Sequence, residues 1–167
     1  MSSQRGTRLL ELTLASAIIG LLVGSGAQQF AIGSGEHHTQ VGVRAAQLQT
    51  AVLDFHRQWL SAGHRGAVDD LRGFADGRLD SNQHGWPVAR DDSNRSPDLN
   101  DCAALWQALQ ARPPAVTAAL PGSEPSGDAQ YMLLREADGC LYRYLPAPEL
   151  AIRYNAANGL VALLGTP

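Results

Sequence analysis

The sequence predicts an α+β fold in which a long N-terminal helix packs against a C-terminal antiparallel sheet. Between residues 41 and 59, apolar side chains recur at alternating steps of four and three, which is the period of an amphipathic helix. After residue 130 the chain has four short apolar runs, and residues that favour tight turns separate them. At 167 residues the chain has room for one globular domain and an accessory segment.

Composition excludes several classes of function. The formal net charge is -3, and the 13 basic residues, all arginine, are scattered along the chain rather than clustered. We therefore expect no nucleic-acid partner. The sequence contains no HExxH, P-loop or GxGxxG motif, so we expect neither a cofactor nor an enzymatic activity.

Residues 9–32 are long and apolar enough to cross a bilayer. As a helix they would extend roughly 36 Å, and their only strongly polar side chains are Glu11, Gln28 and Gln29. Arg5 and Arg8 lie close to the start of this segment, which predicts that its N-terminus faces the cytoplasm. A cleaved secretory signal peptide is the alternative.

Glu11 lies near the start of this apolar segment, where an unpaired carboxylate is unfavourable. A local ion pair with Arg8, three residues earlier, is one explanation. The other explanation is that the carboxylate forms an ion pair with a charged group of another molecule. An intramembrane acid is by default a candidate functional residue.

The N-terminus resembles the type IV prepilin signature. The leader is "MSSQRG", and the mature chain would begin "TRLLELTLASAIIGLLVG". The resemblance implies that a prepilin peptidase cleaves between Gly6 and Thr7, and that N-methylation falls on Thr7, where the family usually has Phe or Met. Glu11 then becomes the fifth mature residue, which in this family pairs with the N-terminal amine of a neighbouring subunit and sets the register.

The same resemblance implies a pilin-like organisation. Residues 1–6 form the leader, 7–32 the transmembrane and filament-core helix, 33–63 the outer half of that helix, and 64–167 the globular head. The protein would be held in the inner membrane by a single span with its C-terminal domain in the periplasm, and would then enter a filament. Its partners would be other pilin or pseudopilin subunits, the prepilin peptidase, and the assembly platform and ATPase.

The function implied is that of a minor pilin in a type IV pilus-like filament, with adhesion as one role. Differences from the family pattern at Thr7, Arg8 and Gln28 favour a minor pilin or a pseudopilin over a major pilin. The segments "GWPVA" and "NDCAALWQALQARPP" are similar to minor subunits of the mannose-sensitive haemagglutinin pilus type. The alternatives are a pseudopilin of a type II secretion system and a signal-anchored periplasmic binding module.

The head is predicted to contain a short helix and a sheet. In "DLNDCAALWQALQARPP" we expect Asn100 or Asp101 to be the N-cap, Leu105 and Leu109 to face the core, and two prolines to end the helix. Residues 114–128 are predicted to be a loop. The predicted strands are 130–135, 140–145, 151–154 and 160–164, with tight turns at 138–139 and 158–159.

Two further sites are candidates in the head. Cys102 and Cys140 would form a disulfide between the short helix and the second predicted strand if the domain is exported, whereas two free thiols are the alternative. Asp80, Asn82 and Asp91 approximate the spacing of a calcium loop, but the fit is weak, and Asp and Asn are equally typical of turns.

Overall fold

The structure, a computed structural model, describes residues 35–90, 96–118 and 127–166. The chain divides into two units between His37 and His38, and the fold described below is that of the second unit. It is an α+β fold with a five-stranded sheet and one disulfide. The predicted class is therefore confirmed at this level.

Helix α1 covers the described residues 35–61, of which residues 38–61 belong to the second unit. The predicted apolar stripe is confirmed, because each of its side chains lies in the core. These side chains are Val41, Ala45, Leu48, Val52, Phe55 and Trp59. The helix ends just before Gly63, whose φ of 76° is the left-handed conformation that glycine adopts readily. The described part of this helix includes two glycines, Gly35 and Gly42, and a Cβ placed at Gly42 would lie 3.7 Å from Leu163.

A two-stranded hairpin follows within residues 64–100, a segment rich in polar and turn-forming residues. Strands β1 (Asp80–Ser81) and β2 (Pro87–Ala89) pair antiparallel. All five of their residues are buried. The hairpin was not predicted because its strands are too short to show an alternating pattern.

Helix α2 spans Leu99–Ala108, and the predicted N-cap is wrong. Asp98 is the cap: its carboxylate accepts from the backbone N–H groups of Asn100 and Asp101. The Asp101 side chain in turn accepts from the Asp98 backbone, which completes a capping box. Leu105 and Leu109 are buried as predicted.

The main sheet has the strand order β3-β4-β5-β6-β7. Its strands are β3 Val116–Ala118, β4 Tyr131–Glu136, β5 Gly139–Tyr144, β6 Ala151–Asn155 and β7 Leu160–Leu164. The last four form the predicted antiparallel meander, each pairing with the next. The predicted loop is wrong at β3, which pairs in parallel with β4. Three residues carry no detectable period, so only the packing in the fold reveals this strand.

The core lies between the inner face of the sheet and the two helices. From α2, the indole ring of Trp106 lies 4.9 Å from the ring of Tyr131 and 4.4 Å from that of Tyr142. The hydroxyl of Tyr142 donates to the carbonyl oxygen of Cys102, and that of Tyr154 donates to the carbonyl oxygen of Pro87. The buried tyrosines therefore join the sheet to both α2 and β2.

This tyrosine core predicts that stability falls at alkaline pH. Burial raises the pKa of Tyr142 and Tyr154 well above the ordinary value of 10. Burial also raises the pKa of Tyr131 to about 12, although the nearby Arg44 lowers it in part. Above pH 10 the unfolded chain binds fewer protons than the folded one, so the stability present below pH 10 falls as the pH rises. In a pH titration, the phenolate absorbance of these tyrosines should therefore appear at a higher pH in the folded chain than in the unfolded chain. It should appear together with the loss of the near-ultraviolet circular dichroism that reports the folded core. Three tyrosines that titrate near pH 10 in a folded chain would contradict this prediction.

Gly139 is a position at which the fold leaves no room for a side chain. A Cβ at this position would lie 2.0 Å from the backbone oxygen of Tyr154 on the neighbouring strand, and backbone atoms cannot move away cheaply. We expect Gly139→Ala to lower the free energy of unfolding by about 1–3 kcal/mol. Thermal unfolding measures this change, and Gly66→Ala is the matched control because nothing lies within 4 Å of its added Cβ. Equal unfolding midpoints in the two variants would refute the prediction.

Candidate functional site

The predicted N-terminal site residues, Gly6, Thr7 and Glu11, lie outside the described residues, as does the predicted membrane segment 7–32. Within residues 35–90, 96–118 and 127–166, no helix combines the length and the apolar character that crossing a bilayer requires. The candidate surfaces described below therefore all belong to the second unit.

Cys102 and Cys140 form a disulfide, as predicted. It joins α2 to β5, its Cα atoms are 5.6 Å apart, and both residues are completely buried. The bond closes a loop of 38 residues beside the ring of Tyr142, whose hydroxyl donates to Cys102. It therefore holds α2 against the inner face of the sheet.

The candidate calcium loop shows turn geometry at its centre. The side-chain oxygen of Asn82 accepts from the backbone N–H groups of His84 and Trp86, and its amide nitrogen donates to the carbonyl oxygen of Ala156. Asp80 accepts from the backbone N–H of Asp70. Asp91 lies outside the described residues, and within them no group of three His, Cys, Asp or Glu side chains could hold a metal ion. The Asn82 side chain thus stabilises a turn, which was the alternative to a calcium loop.

A cavity of about 430 Å³ with both polar and apolar walls adjoins this turn. Its walls include Ser96, His84 and Asp138, the residue types of a hydrolytic triad. Among the described residues, none of these three side chains is hydrogen-bonded to another, and the imidazole Nε2 of His84 lies 3.1 Å from the amide nitrogen of Gln83. The cavity therefore brings the three residue types together without joining their side chains in a hydrogen-bonded triad.

A stack of aromatic rings holds the β1–β2 hairpin against α1. The ring of His56 lies parallel to that of Trp86 at 3.9 Å and to that of Trp59 at 5.6 Å, and its Nδ1 is 3.1 Å from the carbonyl oxygen of Gly85. Trp86 also lies directly over Gly159, where an added Cβ would be 2.2 Å from the ring. This stack fixes the C-terminal half of α1 relative to both the hairpin and the β6–β7 turn.

Helix α1 carries a second stripe that the sequence reading missed. It recurs at steps of three and four, and all its members are exposed: Val43, Ala46, Thr50, Leu53, Arg57 and Leu60. At 100° per residue its centre lies about 150° from that of the core stripe. Its large apolar members remain between 40% and 55% exposed, so the head leaves this side of the helix uncovered.

This exposed stripe has the composition of a helix-packing seam. The spacing is that of the a and d positions of a heptad repeat, and four of its six members are apolar. Its single charge, on Arg57, is paired within the helix with Asp54 at 2.5 Å. Because the opposite side of α1 is anchored in the core, the stripe is presented on a rigid element.

No protein-family model matches the chain, and neither the curated proteins nor the solved structures with which it was compared contain a match. The functional proposals below therefore rest on the residues of this chain and on their geometry.

Proposed function

We propose that this protein is a minor pilin, a structural subunit of a type IV pilus-like filament. In this proposal, prepilin peptidase removes residues 1–6, the apolar helix holds the subunit in the inner membrane, and the platform and ATPase drive assembly. Glu11 sets the register by pairing with the N-terminal amine of a neighbouring subunit. The head is an exported domain without enzymatic activity.

The exposed stripe of α1 is the observation that carries the proposal. A helix whose two opposite sides are both apolar needs two partners, and the head supplies only one of them. A seam with heptad spacing fits a second helix, and a filament built around packed helices would provide one. The stripe thus supports assembly independently of the N-terminal motif.

The disulfide supports export of the head. Such bonds form and persist in oxidising compartments, including the bacterial periplasm, and they are rare in the cytosol. The described residues contain no free cysteine. A periplasmic head above a membrane-held helix is the arrangement that the proposed pathway requires.

The mature N-terminus is the first test. Mass spectrometry of the protein from its native membrane should find a chain that begins at Thr7, with or without a methyl group. A chain that retains Met1, or one that begins at Ala27 or later, would refute the proposed processing.

Removing the Glu11 carboxylate should separate processing from assembly. We expect Glu11→Ala to be cleaved normally but to enter filaments at most about one-tenth as often as the wild-type chain, because an unpaired buried amine disfavours docking. Immunoblots of sheared filaments and of membranes measure the two pools. Glu36→Ala is the control, since it removes an exposed carboxylate from α1. Normal incorporation of the Glu11→Ala chain would count against the registry role.

A further inference from the structure

The outer face of the five-stranded sheet is unusually apolar. Five aliphatic side chains of β4, β5 and β7 lie on it, and each is only partly buried: Met132, Leu134, Leu141, Ala162 and Leu164. The strand register places them in two adjacent rows across the sheet. An antiparallel sheet with one solvated face normally alternates apolar and polar residues, so this face departs from the usual pattern.

Both helices lie on the opposite face. Tyr131, Tyr142 and Ile152 point inward to the core, and the residues that alternate with them point outward. The outer rows therefore do not belong to the core that α1 and α2 complete. An aliphatic patch of this kind marks a contact surface when it exceeds the scattered exposure that any protein shows.

The charges on this face are unbalanced. Arg143 lies in one row between Met132 and Ala151 and is exposed. Within residues 35–90, 96–118 and 127–166 it makes no ion pair within 4 Å. Arg153, in the other row, already donates to both carboxylate oxygens of Glu136, at 2.7 and 3.0 Å. In the part of the chain that the structure describes, the guanidinium of Arg143 therefore lies among aliphatic side chains without an ionic partner, although the net charge of the chain is -3.

We propose that this outer face docks another protein subunit of the same filament, through a surface that presents aliphatic side chains around a carboxylate. The carboxylate pairs with Arg143, and the aliphatic groups cover the two rows. This inference rests on the proposed function. A membrane surface fits less well, because binding to anionic lipid needs a cluster of cations, and among the described residues of this face only Arg143 is a cation without an ion pair.

The size of the patch indicates under which conditions the contact is strong enough to form. The patch crosses four strands, about 14 Å at the usual strand spacing, and it is only two rows deep. It therefore covers far less than the roughly 800 Å² per partner that a stable free complex buries. Such a contact is weak between free proteins and becomes effective when both partners are held in one membrane or filament, where their effective concentration is high.

Site-specific photo-crosslinking in cells that assemble the filament tests the proposal. A crosslinking amino acid at Leu134, on the outer face, should give a product with one filament subunit at a position beside an acidic residue. The same amino acid at Arg135, which is exposed but points to the other face, is the control. Arg143→Glu should reduce the Leu134 product about tenfold, Arg143→Lys should retain most of it, and an arginine in place of the partner's acidic residue should restore it in the Arg143→Glu background.

The outcomes separate the two proposals. A chain that never enters filaments overturns the proposed function and this inference with it. A chain that enters filaments normally overturns this inference alone if Leu134 and Arg135 crosslink equally, if Leu134 crosslinks only to lipid, or if Arg143→Glu leaves the product unchanged.

Discussion

Replacing both cysteines with alanine should lower the free energy of unfolding by about 4 kcal/mol. The reason is that the Cys102–Cys140 bond closes a loop of 38 residues, and a loop of that size restricts the unfolded chain by this amount in the chain-entropy treatment. For a domain that is stable by only about 5–15 kcal/mol, this is a large share. The unfolding midpoint should fall by roughly 10–20 °C.

Thermal unfolding of the full-length chain in detergent, followed by circular dichroism, measures this difference. Reductant supplies the control: it should lower the midpoint of the wild-type chain towards that of the double variant and should leave the variant unchanged. A double variant that unfolds within about 2 °C of the oxidised wild-type chain would show that α2 is held by packing alone.

The parts of the fold that follow a regular pattern were predictable from the sequence. The core stripe of α1 and the four strands of the meander repeat over enough residues to show their period. Strand β3 and the β1–β2 hairpin have two or three residues each, and their pairing partners are set by the packing of the whole domain. The N-cap is Asp98 and not the predicted Asn100 or Asp101. Asp and Asn are both favoured at this position, so the sequence alone does not show which of these neighbouring residues caps the helix.

The candidate surfaces were harder to predict than the fold. The exposed stripe of α1 includes Thr50 and Arg57, which interrupt its apolar period, and a single amphipathic pattern already accounted for the helix. The outer face of the sheet shows its character only when the register places residues of β4, β5 and β7 in common rows. The disulfide was predictable on the expectation that the domain is exported, because two cysteines then leave a single pairing.

A negative charge on the exposed stripe of α1 should block assembly and leave the head folded. Leu53→Asp combined with Leu60→Asp places two carboxylates at d-type positions of the seam, where a packed helix would remove them from water. We expect incorporation into filaments to fall at least about tenfold. Because the two leucines are 40% and 55% exposed, the unfolding midpoint should change by no more than a few degrees.

Two matched variants make this experiment decisive for the role of the stripe. Gln47→Asp adds a carboxylate to an exposed position of the same helix outside the stripe, and it should assemble normally. Val52→Asp buries a charge in the core stripe and should unfold the head, which shows what loss of the fold looks like in the same assay. If the double variant assembles as well as Gln47→Asp, the exposed stripe is not a subunit contact. If instead the double variant fails to assemble while its head stays folded and Gln47→Asp assembles normally, α1 is joined to the head by one side and to the filament by the other.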